Sequence, residues 1–351
     1  MKITEVQTLI SNLSDKEINT PLLLIGPTGI GKSWLTKEIA DTKGLEYIDL
    51  RLATQEVTDL IGIPRTVKHE NEEPRTVWTK PNWFPKEGTK GILMLEEVNR
   101  SPEDVRQAIF QLLTEWKLHD HTLPKGWIIV SMINPDNGMY HVNQLDPAFK
   151  RRFIQVIVNP PDITDWCVWA KKNKVSDDVI RFVSQFPKSL TKSEDINIEA
   201  TATPAGYHML STLLSNNVIP NKCLHEVASG IIGTEWATTF VRSLRQDFEK
   251  PITAEQIFSD YSKVKKRHKK MLDNSRNDLI YATMIDIIAE CDTKNLKKAE
   301  VENLKDYLND CGAETMTTIA LRLNEKILGK LSQYPELLEK VTEIKKNISD
   351  V

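Results

Sequence analysis

The segment with the clearest chemical meaning is residues 26–33, which read Gly-Pro-Thr-Gly-Ile-Gly-Lys-Ser. In such a loop the glycines let backbone N–H groups turn toward phosphate oxygens, the lysine reaches the β- and γ-phosphates, and the final hydroxyl can ligate Mg²⁺. An apolar run at 22–25 precedes the loop and a helical pattern at 34–40 follows it, so the loop opens into a helix N-terminus, which favours anions. We therefore predict that a nucleotide is bound by the following residues: Gly26, Pro27, Thr28, Gly29, Ile30, Gly31, Lys32, Ser33 and Trp34.

Two adjacent acids, Glu96 and Glu97, lie at the end of the apolar segment 92–98. Taken alone, two acids after a strand often mark only a solvated strand end. In a buried strand that follows a phosphate-binding loop, one carboxylate can hold Mg²⁺ and the next can polarise an attacking water. We assign Mg²⁺ to Glu96 together with Ser33, and water activation to Glu97.

Three further polar residues follow in the chain. Asn134 comes directly after the apolar segment 127–133 and could position the water, or could cap the turn before Pro135. Arg151 and Arg152 precede the apolar segment 153–158, and such arginines can neutralise charge on a transferring phosphoryl group. If the arginines lie across a subunit interface, hydrolysis requires assembly. The alternative is a basic pair that caps a helix C-terminus.

The pattern of elements around these residues predicts an α/β fold. Short apolar strands at 21–26, 46–52, 92–98, 127–133 and 153–158 alternate with helices, which indicates a parallel sheet covered by helices on both faces. The helix after the third strand is expected to start at Ser101, with Pro102 as its first residue. The connection 53–91 is too long to lack structure, so we predict a helix at 57–61 and a hairpin with arms at 63–67 and 75–78.

The rest of the chain has only helical patterns. Helices are expected at 162–172, 177–185, 204–214 and 222–232, and a block rich in Lys and Glu fills 252–351. We predict three regions: an α/β nucleotide-binding core at 1–160, a helical lid at 161–250 and an extra C-terminal helical region at 251–351.

Composition argues against several classes of protein. The chain has 351 residues, 27% of them charged, with a formal net charge of −3, which gives no footprint for tight nucleic-acid binding. It has no apolar run long enough to span a membrane and no signal-peptide core, so we expect a cytoplasmic protein. We interpret His119-Asp120-His121 as a solvated loop rather than a metal site, and the basic run Lys263–Lys270 as a solvated helix face.

Together the motifs resemble those of the AAA+ ATPases. Residues 26–33, 93–100, 131–135 and 145–153 occur in the order and spacing of that family. The pieces at 97–100, 134–135 and 140–148 resemble the MoxR branch in particular, including its CbbQ-like and phage-encoded relatives. The resemblance implies a P-loop NTPase core of five strands, a helical lid, ATP and Mg²⁺ as ligands, and a ring, expected to be a hexamer.

The same resemblance implies a role in remodelling or activating a partner protein, either one with a von Willebrand factor A domain or a metalloenzyme that needs maturation. If a phage encodes the chain, the expected location is the host cytoplasm. The resemblance also places the 53–91 hairpin at the ring pore. Trp78 and Trp83 are then candidate contacts, with a core role as the alternative for either.

The sequence departs from the family pattern at two positions. Glu96 stands where Asp is usual, so the geometry of the metal site must shift. The segment 203–208 resembles a lid motif in which an arginine that senses the γ-phosphate follows the proline, and Ala205 occupies that position. Because the lid then lacks this arginine, we hypothesise that basal ATP turnover is slow.

Two other functions remain open from the sequence. The first is a nucleic-acid-directed motor, whose activity would rise with DNA or RNA and fall steeply with salt. The second is a nucleotide-gated scaffold that binds ATP and hardly hydrolyses it. Glu96 and Ala205 favour the scaffold, whereas an intact Glu97 favours hydrolysis.

Overall fold

A computed structural model of the chain describes residues 1–68, 73–135, 143–190, 202–245 and 248–311. The chain folds as two compact units, Met1–Pro160 and Pro161–Val351. The predicted division near residue 250 stays a prediction.

The first unit is built on a five-stranded parallel sheet, which confirms the predicted fold class. Its strands are β1 (Leu22–Ile25), β2 (Glu46–Arg51), β5 (Gly91–Glu96), β8 (Trp127–Ile133) and β9 (Ile154–Ile157). They lie in the order β2-β5-β8-β1-β9. The helices of this unit are α1 (Ile3–Asp15), α2 (Lys32–Lys43), α3 (Val57–Ile61), α4 (Glu103–Glu115) and α5 (Pro147–Lys150).

The alternation of side chains along each strand explains why helices cover both faces of the sheet. Leu22 and Leu24 lie in the hydrophobic cluster that also contains the apolar faces of α1 and α2. Leu23 lies in the cluster on the other face, with Val105 and Ile109 of α4. The central strands β5 and β8 are buried along their whole length.

The start of α4 differs from the prediction. The helix begins at Glu103, and Pro102 occupies the N-cap position in an extended conformation. Ser101 is buried and does not cap the helix, because its hydroxyl donates instead to the carbonyl of Val98 at 2.7 Å. Ser101 thereby closes the short 3₁₀ turn Val98–Arg100, which links β5 to α4.

The connection 53–91 holds the predicted helix α3 and a two-stranded antiparallel hairpin, β3 (Pro64–Val67) with β4 (Arg75–Trp78). A second, smaller hairpin, β6 (Lys117–Leu118) with β7 (His121–Thr122), follows α4. The two hairpins touch, because the ring of His119 stacks on that of Trp78 with centroids 4.1 Å apart. His121 Nε2 also lies 3.1 Å from the Trp78 carbonyl oxygen.

The interpretation of residues 119–121 as a solvated loop therefore holds only for Asp120, which is exposed in the turn, because both histidines are half-buried against the first hairpin. Within the described ranges there is no group of three or more side chains suited to bind a metal.

The second unit is helical where it is described. Its helices are α6 (Ile163–Lys172), α7 (Asp177–Gln185), α8 (Pro204–Ser215), α9 (Leu224–Ile232), α10 (Thr234–Ser243), α11 (Ala254–Asp273), α12 (Asn277–Thr293) and α13 (Lys298–Asp310). Helix α12 packs on α6 and α7, and Lys171 of α6 forms ion pairs with Asp286 and Glu290 of α12 at 2.6 and 2.5 Å. None of the helices that the structure describes is both long and apolar enough to cross a membrane.

The basic run 263–270 lies on α11, as predicted, but it is not uniformly solvated. Lys265 forms an ion pair with Asp310 at 2.9 Å. His268 is buried, and its Nδ1 lies 2.8 Å from the hydroxyl of Tyr261 while its ring stacks on that of Tyr307. The helical period explains the difference, since one face of an amphipathic helix must face the core.

Candidate nucleotide-binding site

The loop after β1 has the conformation that its glycines were expected to supply. Gly31 has a φ of +97°, which places it in the left-handed region directly before Lys32, the first residue of α2. At Gly26 a Cβ atom would lie 2.8 Å from the carbonyl oxygen of Val158, so a side chain has no room there. The loop therefore presents backbone rather than side chains at the N-terminus of α2.

Lys32 is the buried cation of this loop. Its side chain is largely covered, and its Nζ donates to the carbonyl oxygens of Gly26 and Pro27 at 2.7 and 2.8 Å. The adjacent Ser33 is exposed, and its Oγ lies 3.5 Å from the sulfur of Met132 in β8. The ammonium group thus faces the loop backbone, and the hydroxyl faces β8 at the carboxyl edge of the sheet. Of the other predicted loop residues, Ile30 is buried in the core, Thr28 is exposed, and Gly29 and Trp34 are half-buried.

The two acids after β5 lie in different environments, although they are neighbours in the sequence. Glu96 is the last residue of β5 and only 9% of it is exposed. Glu97 has a φ of +56°, which is unusual for a residue other than glycine, and its half-exposed carboxylate accepts from Arg100 at 3.0 Å. The two carboxylates therefore have different partners, since Glu96 Oε2 lies 3.4 Å from Arg51 Nε whereas Glu97 pairs with Arg100.

Asn134, at the end of β8, meets the phosphate-binding loop. The hydroxyl of Thr28 donates to Asn134 Oδ1 at 3.1 Å, and the Asn134 carbonyl accepts from the side-chain amide of Asn99 at 2.9 Å. The side chain of Asn134 therefore contacts the loop rather than only capping the turn before Pro135.

Asn99 was missed as a site residue. It is buried, and its Oδ1 has no hydrogen-bond partner within the described part of the chain. Its main-chain carbonyl also accepts from the backbone N–H of Asn143 at 2.7 Å. A polar residue two positions after the Glu96-Glu97 pair was the available signal, but only the fold shows that it joins the ends of β5 and β8.

Arg151 and Arg152 follow α5 and are both exposed. The guanidinium of Arg152 lies 5.0 Å from the centre of the Phe110 ring, a cation–π contact. In the part of the chain that the structure describes, no hydrogen bond or ion pair joins either arginine to the phosphate-binding loop, and the carboxylate of Glu97 pairs with Arg100 instead. The structure thus brings together Lys32, Ser33, Asn134 and the two acids at one sheet edge, and leaves the arginines outside this group.

Strand β2 contributes residues that the sequence analysis did not consider. Tyr47, Asp49 and Arg51 alternate onto the α2 face of the sheet, and Arg51 pairs in register with Glu96. Burial raises the pKa of Tyr47 to about 12, and its hydroxyl lies 3.5 Å from Thr36 Oγ1 in α2. The pKa of Asp49 is raised by burial and, to a lesser extent, by the negative charge of Glu96. A second carboxylate therefore stands near the one predicted to hold metal.

The oxygen ligands on the α2 face of the sheet are of the kind that binds Mg²⁺. The Ser33 hydroxyl and the carboxylates of Glu96 and Asp49 are hard oxygen ligands, which Mg²⁺ prefers. Mg²⁺ usually takes only one or two carboxylates together with phosphate oxygens and water, so the chain does not need to supply a closed cage.

A match to a known protein family agrees with the fold of the first unit. Residues 21–153 match the model of the AAA domain, dynein-related subfamily. A search of curated proteins found no match.

Among solved structures, a candidate ATPase of Cytophaga hutchinsonii is 16% identical, with 68% of this chain and 89% of that chain covered and a TM-score of 0.36. A variant of RuvB from Thermotoga maritima is 12% identical, with 75% of this chain and 77% of that chain covered and a TM-score of 0.40. NtrX from Brucella abortus is 13% identical, with 87% of this chain and 67% of that chain covered and a TM-score of 0.38. Likenesses of this size do not assign a function. The match over residues 21–153 and the sheet order together show that the first unit has the P-loop NTPase fold of an AAA domain.

Proposed function

We propose that the protein binds ATP with Mg²⁺ at the loop 26–33 and hydrolyses it, as one subunit of a ring that remodels or activates a partner protein. The observation that carries the proposal is the convergence of three strand ends at one edge of the sheet. The loop after β1, the two acids at the end of β5 and Asn134 after β8 meet there, with Thr28 and Asn134 joined at 3.1 Å. Ligands of open parallel sheets bind at this edge.

Each residue has a distinct task in this proposal. The loop N–H groups and Lys32 bind the β- and γ-phosphates, and Lys32 must then exchange its contacts with the loop carbonyls for phosphate oxygens. Ser33 and Glu96 would hold Mg²⁺, which neutralises phosphate charge when bound. Glu97 accepts a proton from the attacking water, and Asn134, held by Thr28, orients that water.

The position of the arginines supports a site shared between subunits. Arg151 and Arg152 are both exposed, so neither guanidinium is buried at the phosphate-binding loop of its own subunit. An arginine that stabilises the transferring phosphoryl group must reach it closely. We therefore propose that one subunit supplies its arginine to the ATP of the next, in a ring expected to be a hexamer.

We propose that the partner is a von Willebrand factor A domain protein or a metalloenzyme, as the resemblance to the MoxR branch implies. The β3–β4 hairpin is the proposed contact. Trp78 is stacked on His119, and Trp83 donates through Nε1 to the carbonyl of Asp59 at 3.0 Å, so both tryptophans are held within their own subunit. The neighbouring Ile63, 60% exposed at the base of the hairpin, is a better candidate to touch a partner.

The first test measures assembly and hydrolysis on the same samples. Light scattering with and without ATP–Mg²⁺ should reveal a nucleotide-dependent ring, and phosphate release per subunit should rise with protein concentration. A monomer whose activity does not depend on concentration would contradict the ring. Stimulation by DNA that falls steeply with salt would favour the nucleic-acid motor instead, and binding without turnover would favour the scaffold.

A mixing experiment tests the shared site directly. Lys32→Ala subunits keep their arginines but lose the ATP site, whereas subunits with both Arg151→Ala and Arg152→Ala keep the site. Each variant alone should be inactive, and a mixture should regain part of the wild-type rate, because hybrid interfaces combine an intact site with intact arginines. If both variants assemble but the mixture stays inactive, the arginines do not act across the interface.

A further inference from the structure

An ion pair joins β2 to the end of β5 at the predicted metal site. Arg51 is the last residue of β2 and lies directly opposite Glu96 in the parallel ladder. Its Nε is 3.4 Å from Glu96 Oε2. Within the described part of the chain, Arg51 is the cation at ion-pair distance from Glu96. The two residues differ in exposure: 66% of the Arg51 side chain is exposed, but only 12% of the Glu96 side chain.

The surroundings of the pair connect it to the helix that follows the phosphate-binding loop. Tyr47, Asp49 and Arg51 share the α2 face, because side chains alternate along a strand. The Tyr47 hydroxyl contacts Thr36 of α2, and Thr36 Oγ1 in turn donates to the main-chain carbonyl of Ser33 at 2.9 Å. The row of β2 residues thus flanks the same helix that carries the Mg²⁺-binding hydroxyl of the proposed function.

We propose that Arg51 is a positioning residue for the metal-binding carboxylate of Glu96. This inference rests on the proposed ATP–Mg²⁺ site. A glutamate has one more rotatable bond than an aspartate, so its carboxylate samples more positions unless a neighbour restrains it. Arg51 supplies that restraint from the adjacent strand.

Arg51 has a second effect, which follows from Asp49. Two carboxylates close together repel each other, and the repulsion would push the Glu96 side chain away from Asp49. A guanidinium beside Glu96 offsets that repulsion. Removing Arg51 therefore leaves Glu96 both less restrained and displaced from Asp49, so its carboxylate is less often where the metal binds.

The high exposure of Arg51 makes this proposal testable without unfolding the protein. Exposed ion pairs contribute little to the stability of the fold. Residues that orient metal ligands nevertheless change metal affinity by about 10- to 100-fold when they are removed. Because Arg51 is exposed and its contact is 3.4 Å, we expect an effect near the lower end.

The experiment measures binding of a fluorescent, non-hydrolysable ATP analogue to the full chain while MgCl₂ is titrated. Arg51→Ala should raise the MgCl₂ concentration for half-maximal enhancement of binding by about tenfold, with no change in binding in EDTA. Arg51→Lys should raise that MgCl₂ concentration less than Arg51→Ala does, because the lysine keeps a positive charge near Glu96. The control is Lys90→Ala, which removes another exposed ion pair, to Glu17 at 2.6 Å, next to the amino end of β5 rather than its carboxyl end.

A second substitution separates positioning from a general effect of charge. Glu96→Asp shortens the side chain by about 1.5 Å, which takes the carboxylate out of reach of Arg51. In that background, Arg51→Ala should change the MgCl₂ midpoint by less than about twofold, because the coupled partner is gone.

Three outcomes would overturn the inference: an unchanged midpoint in Arg51→Ala, a lower midpoint, which would mean that Arg51 competes with the metal, or an equal effect in the Glu96→Asp background. Failure of the proposed function has a different signature, since the wild-type chain would then show no Mg²⁺-dependent nucleotide binding at all.

Discussion

The most decisive substitution is Glu97→Gln, which keeps the shape of the side chain but removes its ability to take a proton. In the structure Glu97 touches Arg100 at 3.0 Å, and both side chains are more than a third exposed. Two unit charges at that distance attract each other by roughly 1.4 kcal/mol in water, and exposed pairs measured by mutation give about 0.2–1 kcal/mol. A glutamine oxygen can still accept from Arg100, so the loss of folding stability should be below about 1 kcal/mol.

The loss of hydrolysis should be much larger than this structural cost. A positioned general base contributes about 10²- to 10⁴-fold to the rate, so phosphate release at saturating ATP–Mg²⁺ should fall by at least about 100-fold. Nucleotide binding should change little, because the phosphates are held by the loop and Lys32 rather than by Glu97. The variant should therefore retain ATP and favour the assembled form.

The assay is phosphate release with time, paired with analogue binding and thermal unfolding of the same samples. Glu103→Gln is the matched control, since it removes an exposed carboxylate at the start of α4, a few residues farther along the chain. Wild-type hydrolysis in Glu97→Gln would show that Glu97 is not the base. An equal loss in Glu103→Gln would show that any local change of charge has the same effect.

Three further predictions follow from single features of the structure. Gly26→Ala places a Cβ atom 2.8 Å from the carbonyl oxygen of Val158. A titration with the fluorescent ATP analogue should therefore show weaker binding than in the wild type, and thermal unfolding should show a lower midpoint temperature. Burial lowers the pKa of His268, so the folded chain binds this proton less readily than the unfolded chain; stability should fall as pH decreases below about 6.5, and urea unfolding of His268→Gln should show a flatter pH dependence. His119→Ala removes the stack on Trp78, so limited proteolysis should cut the β3–β4 hairpin faster while analogue binding stays unchanged; equal cutting rates would contradict this anchoring role.

Local signals in the sequence were sufficient for most of the first unit. The glycines and Lys32 of the loop predicted a strand–loop–helix unit, because each of these features acts within a few residues of the chain. Apolar runs predicted the five strands, and the length of the connection 53–91 predicted the hairpin with arms at 63–67 and 75–78. The start of α4 was missed because Ser101 had two possible hydrogen-bond partners, and only its burial against Val98 shows which one it takes.

Contacts between distant segments had to come from the tertiary structure. The sequence determined that Glu96 ends a buried strand, but not that β2 is its neighbour on one side, since strand order depends on how the whole sheet packs. That order places Arg51 and Asp49 beside Glu96, and it lets Asn99 join the ends of β5 and β8. The stack of His119 on Trp78 is equally nonlocal. The sequence by itself therefore predicted a nucleotide site in the loop and at two strand ends. The packing of separate strands and hairpins decided which other residues lie beside that site, because those contacts join residues far apart in the chain.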